Sequence, residues 1–148
     1  MTGSIFVDSN VPLYCVDARN PEKRDRARLW MEQLGMREIG RLSWQVVHEF
    51  NWNAPRKLGI SVAATREFAE EMLLWEPVGA SAGLVRRAWS WCDQAQVAYW
   101  DALIVAAAEV CGAGYLLSED LQPGRRFGAL QVVDPFGEAG TALLATLS

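Results

Sequence analysis

Short apolar runs along the chain alternate with longer stretches in which apolar positions recur every three or four residues, a pattern that predicts strands interleaved with helices. "SIFV", residues 4–7, is a compact apolar run that empties at once into Asp8, Ser9 and Asn10, the form of a buried strand ending in a polar turn. "PEKRDRARLWMEQLG" follows Asn20 as a cap, sets Ala27, Leu29, Trp30 and Leu34 near helical spacing, and stops at Gly35. "REIGRLS" reads weakly as a strand. Ser43 then caps a helix, "WQVVHEFNWNAPRKLG", whose stripe is Val46, Val47, Phe50 and Ala54, with Pro55 expected to shorten or kink it.

"SVAATREFAEEMLLW" begins at a capping box on Ser61 and Thr65 and carries Val62, Phe68, Met72 and Leu73 on or near one face. "SAGLVRRAWSWCDQAQ" predicts another helix, and "YWDALIVAAAEV", the most apolar of all, predicts a third that ends near Gly112. "GYLLSED" is a strand emptying into acids, "LQPGRRFG" a loop, and "ALQVV" a last short strand before Asp134. The tail "GEAGTALLATLS", residues 137–148, sets Leu143, Leu144 and Leu147 at helical spacing and reads equally as a disordered end or a short packed helix. Helices alternating with short apolar strands predict an α/β fold with a mainly parallel central sheet, helices covering both faces.

At 148 residues, 51% hydrophobic and 22% charged, the chain fits one domain with a sizeable core. Its longest apolar run, residues 102–108, falls well short of the ~20 residues of a membrane helix, and the N-terminus lacks a signal-peptide pattern, so the expected location is cytoplasmic. Cys15, Cys92 and Cys111 are odd in number and set among apolar neighbours, as reduced thiols would be. A net charge of −4 argues against a large basic face. Were four acids gathered around cations, the remainder would balance, and Arg56-Lys57, Arg86-Arg87 and Arg125-Arg126 are then available to line a groove or to remain scattered surface charge.

Asp101 stands in an apolar segment that offers it no basic partner, and a carboxylate facing a core is costly unless paired, hydrogen-bonded or bound to metal. Ligands of open parallel sheets bind beyond the carboxyl ends of the strands, where Asp8 stands at one strand tip and Glu119 and Asp120 at another. Glu49 borders its helix's apolar stripe. Asp8, Glu49, Asp101 and Asp120 can converge, and four carboxylates in one place imply a divalent ion. Oxygen ligands without Cys or His select Mg²⁺ or Mn²⁺, and the chemistry they suit is phosphoryl transfer or phosphodiester hydrolysis. Taken singly, each acid has a plainer role: Asp8 and Asp120 as turn formers, Asp101 as an N-cap, Glu49 as a solvated helix residue. Spacing alone leaves both readings open.

"FVDSNVPLY", "SWQVVHEF", "YWDALIVAAA" and "GYLLSEDLQPGRRFGALQVVDPF" together resemble the PIN-domain ribonucleases, specifically VapC-type toxins of bacterial toxin–antitoxin systems, over about residues 5–136. The resemblance implies a single PIN domain over residues 1–148, an α/β/α sandwich, with residues 137–148 as a C-terminal extension. It implies a metal-dependent endoribonuclease using Mg²⁺ or Mn²⁺, a homodimer, and inhibition by a small antitoxin protein. Carried over motif by motif, the catalytic and metal-site acids would be Asp8, Glu49, Asp101 and Asp120, supported by Asn10 and Ser118. Many relatives carry a further polar residue where this chain has Pro123, and Glu119 is the spare acid nearby. As neighbours in an extended segment, Glu119 and Asp120 point different ways, which favours Asp120 as the ligand. The competing reading is a non-catalytic PIN scaffold that binds RNA or protein. An aspartyl phosphotransferase with Asp8 as nucleophile would want a second acid where Asn10 stands.

His48 adjoins Glu49, but successive helical residues lie roughly 100° apart, so His48 is expected to face away from a site that Glu49 faces. Trp30, Trp44, Trp75, Trp89 and Trp91 lie in amphipathic segments and are expected mostly in core or interface. Trp52 and Trp100, each close to a proposed site acid, are the pair to watch for substrate contact.

Overall fold

The computed structural model describes residues 3–147. In chain order its elements are β1 (Ile5–Val7), α1 (Asn10–Cys15), α2 (Pro21–Met36), β2 (Gly40–Arg41), α3 (Trp44–Leu58), α4 (Val62–Leu73), α5 (Ala82–Ala95), α6 (Tyr99–Val110), β3 (Tyr115–Leu117), β4 (Arg126–Phe127), β5 (Leu130–Val133) and α7 (Glu138–Ala145). The sheet runs β2-β1-β3-β5-β4. Every pairing is parallel except that of β4 with β5. Ile5, Phe6 and Val7 are all fully buried, so β1, between β2 and β3, is covered on both faces, as a parallel sheet requires.

The fold class and most elements are as the sequence predicts. Asn20 caps α2 by accepting the Lys23 amide, and Ser61 and Ser81 cap α4 and α5 in the same way. Four points differ. The turn after β1 winds immediately into the short helix α1. Arg126–Phe127, expected as loop, forms the antiparallel edge strand β4. α3 continues through Pro55 to Leu58 and ends on Gly59 at φ 66°, a left-handed conformation that glycine adopts freely. On α4 the buried face is Thr65, Ala69 and Met72, while Val62 at the first turn is exposed.

The tail forms α7, with Leu144 and Leu147 buried. It docks backbone to backbone: a Cβ on Gly140 would stand 2.2 Å from the Asp134 carbonyl oxygen. Trp30 on α2, fully buried, closes the same corner by donating from Nε1 to the Pro135 carbonyl at 2.9 Å. Cys15 is buried, Cys92 and Cys111 are half-buried, and all three are free thiols. Among the described residues no helix is long and apolar enough to cross a membrane.

Candidate active site

Two strand ends build the floor of the site. Asp8 follows β1, and its amide extends the sheet by donating to the Leu117 carbonyl at 3.0 Å. Ser118 follows β3 in the adjacent position, donating its amide to Val133 at 3.2 Å. Both side chains are buried, Asp8 at 3% exposure and Ser118 at 0%. The Ser118 hydroxyl donates to Asp8 Oδ2 at 2.8 Å and accepts the Asp120 amide at 3.0 Å, so one serine fixes both acids. The Ser9 amide donates to Asp8 Oδ1 at 2.7 Å. Asn10, at the first turn of α1, points its amide at Asp120 Oδ2 at 3.4 Å. Its own Oδ1 is buried without a hydrogen-bond partner.

Two helices bring the remaining acids. α3 presents Glu49, half-buried, with Oε1 buried and unpartnered. α6 presents Asp101 from its first turn, half-buried and ahead of seven consecutive buried residues. Asp101 is not the N-cap; Ala98 holds that place, and the Ala98 carbonyl takes the first intrahelical bond from Ala102.

The acids sit in one another's field. Burial pushes the Asp8 carboxyl up to about 7; Ser118 and Ser9 pull against that rise, and the charges of Asp120 and Glu49 add to it. Glu49 is raised by burial, then by Asp120 and Asp101, with Ser9 and Gln45 opposing. Asp101 is raised by burial and by Asp120. Thus Asp8, Glu49 and Asp101 each feel the charge of at least one other acid of the set, and Asp120 acts on all three. Among the described residues, no three acidic, His or Cys side chains approach closely enough to hold one ion as they stand. The acids converge as a field without meeting at a single point.

Glu119 is directed elsewhere. It pairs with Lys23 on α2, whose ammonium also donates to Tyr14 Oη at 3.4 Å and lies 4.9 Å from the Tyr14 ring centroid. Sequence reasoning had no signal for this: Lys23 reaches Glu119 across 96 residues. His48 is exposed and stacks on Trp44, with ring centroids 6.2 Å apart. It lies at the surface, in the wall of a groove that Glu49 also borders. Trp30 and Trp91 lie in the core as expected, but Trp44 is 42% and Trp89 56% exposed. Trp52 and Trp100 are exposed as well, at 63% and 65%. Of the basic pairs, Arg87 is engaged by Glu109, Arg125 by the Ala95 carbonyl and Arg126 by Gln131, and Arg56 lies against the Trp52 ring.

No curated protein matches this chain in sequence. The family model described as the PIN domain matches residues 5–125, stopping short of the expected residue 136. PIN domains are generally nucleases acting on RNA or DNA, typically with divalent metals, and all four acids fall within the matched span. With a match over more than half its length, the chain belongs to the PIN-domain family.

Proposed function

We propose that this protein is a divalent-metal-dependent endoribonuclease, the VapC-type toxin of a toxin–antitoxin pair. The observation that carries the reading is the shared field of Asp8, Glu49, Asp101 and Asp120 at the carboxyl end of the sheet in a PIN-family chain. Neighbouring carboxylate charges that repel are stabilised together by a counter-ion. The donors fit Mg²⁺ or Mn²⁺: all are oxygens, and Glu49 Oε1 is buried with no partner of its own. Asp8, Glu49, Asp101 and Asp120 would hold the ion. When bound, it supplies a water of lowered pKa and neutralises charge at the scissile phosphate.

The chain's own groups do the rest. Ser118 and the Ser9 amide hold the Asp8 carboxyl against rotation, and Asn10 steadies Asp120. Asp8 must give up its proton for the site to work, and Ser118 eases that loss by donating to the ionised form. Cleavage leaves a 5′-phosphate. The same reading makes the protein a cytoplasmic homodimer silenced by a small antitoxin that offers a basic side chain to the acids.

A non-catalytic PIN scaffold is favoured by one observation, the absence among the described residues of three ligands already gathered at one point. Purified protein incubated with a mixed RNA pool separates the two. Cuts that appear with Mg²⁺ or Mn²⁺, stop with chelator and vanish in Asp101→Ala support the nuclease; RNA bound but uncut in every condition supports the scaffold.

A further inference from the structure

Along one side of α3, Trp44, His48, Trp52 and Arg56 follow one another in steps of four residues, and all four are exposed. The Arg56 guanidinium lies 4.2 Å from the Trp52 ring centroid. The start of α6 adds Tyr99 and Trp100, 38% and 65% exposed, and Gln45 Nε2 ties the two helices by donating to the Trp100 carbonyl at 3.1 Å. Between them runs a groove of about 910 Å³. Glu49 lines it as well, so the groove reaches one of the four proposed site acids, and Trp100 in its wall is the chain neighbour of Asp101.

Resting on the nuclease reading above, we propose that this groove seats the unstacked bases of single-stranded RNA beside the scissile phosphate. Exposed rings are what a single-strand platform needs, because every base offers a π-face, and Arg56, on the Trp52 ring at the groove's margin rather than in its wall, offers a charge to a phosphate. The groove is not purely apolar. Ser43, only 4% exposed, lines it with a buried Oγ that has no hydrogen-bond partner, and Asn53 borders it with a side-chain amide. A base edge can pair with the Asn53 amide, which an apolar side chain would leave unmet. RNA approaching the acids along α3 would therefore stack on Trp52 and Trp100 before its phosphate reaches Asp101.

The test uses a 12-nucleotide unstructured oligoribonucleotide and intact protein in chelator, so that binding is read without cleavage. Tryptophan fluorescence should be quenched on titration, and Trp52→Ala and Trp100→Ala should each weaken binding roughly tenfold, with Trp52→Phe retaining most of it. Trp89→Ala, exposed on α5 and outside the groove, serves as the control and should bind as wild type. Unchanged binding in both groove variants, or no binding by the wild type, overturns the proposal. So does a fall in molecular mass of Trp52→Ala by sedimentation, which would make the groove an interface between copies of this chain. Binding through the groove with no metal-dependent cutting would defeat the nuclease reading and leave this inference standing; cutting unaffected by the groove variants would do the reverse.

Discussion

Ser118 holds Asp8 across the seam between two parallel strands, its hydroxyl donating to Asp8 Oδ2 at 2.8 Å with both residues almost wholly buried. The same hydroxyl accepts the Asp120 amide. Two of the four acids are thereby positioned by one small side chain that never reaches solvent.

Ser118→Ala should therefore act on both acids. It strips a buried carboxyl of a donor, at a cost of about 1–3 kcal/mol in stability, and drives the Asp8 pKa further up, since Ser118 is the main influence lowering it. Cleavage should fall roughly 10–100-fold, as for other partners of metal-binding carboxylates, and the optimum should move to higher pH. Chemical denaturation and a pH–rate profile check the two effects separately.

The metal-free protein should lose stability as pH rises. The Asp8 carboxyl moves from 3.8 to about 7 on folding, so the native state holds its proton more tightly than the unfolded chain does. That contribution is fully present below 3.8 and is lost as pH climbs through about 7, a difference worth up to about 4 kcal/mol. Glu49 and Asp101 are raised as well and act in the same direction. Thermal melts in chelator should show a higher Tm at pH 5 than at pH 8, and Asp8→Asn should flatten the slope.

Glu119 and Asp120 are adjacent in sequence and should differ in function. Glu119 is held by Lys23, a half-exposed pair worth about 0–1 kcal/mol, so Glu119→Ala should cut RNA within about threefold of wild type and melt almost unchanged. Asp120→Ala should lose most activity. Equal loss in both, measured on one RNA substrate, would place Glu119 among the working acids.

The parallel sheet, the capped helices and the acids at strand ends were legible because each writes a local pattern: an apolar run, a Ser or Asn before a periodic stretch, a charge just after a strand. What local pattern does not write was missed. β4 is two residues long and exists through its pairing with Leu130 and Gln131, which the sequence of "RRF" alone does not encode. α1 follows β1 so closely that Asn10, a good turn former, also serves as its first helical residue. The four-residue stripe from Trp44 to Arg56 is present in the sequence, but it occupies the side of α3 opposite the clearer apolar stripe of Val46, Val47 and Phe50, and an amphipathic pattern alone leaves Trp44 to core or interface while Trp52 stands out only by its nearness to Glu49. For the site, spacing left the four acids open between ligands and plainer roles, and the motif resemblance singled them out; the Ser118 bridge and the diversion of Glu119 depend on contacts across about a hundred residues.

The most direct test of the account is a Mn²⁺ titration followed by electron paramagnetic resonance at pH 7.5, on wild type, Asp8→Asn and Asp101→Asn. If the four carboxylates form one cation site, the free Mn²⁺ signal should be depleted by wild type, with Mg²⁺ competing, and each single substitution should weaken binding at least tenfold while the variants stay folded and melt no lower than wild type. Mn²⁺ bound equally well by both variants, or not bound by folded wild type at all, would contradict it.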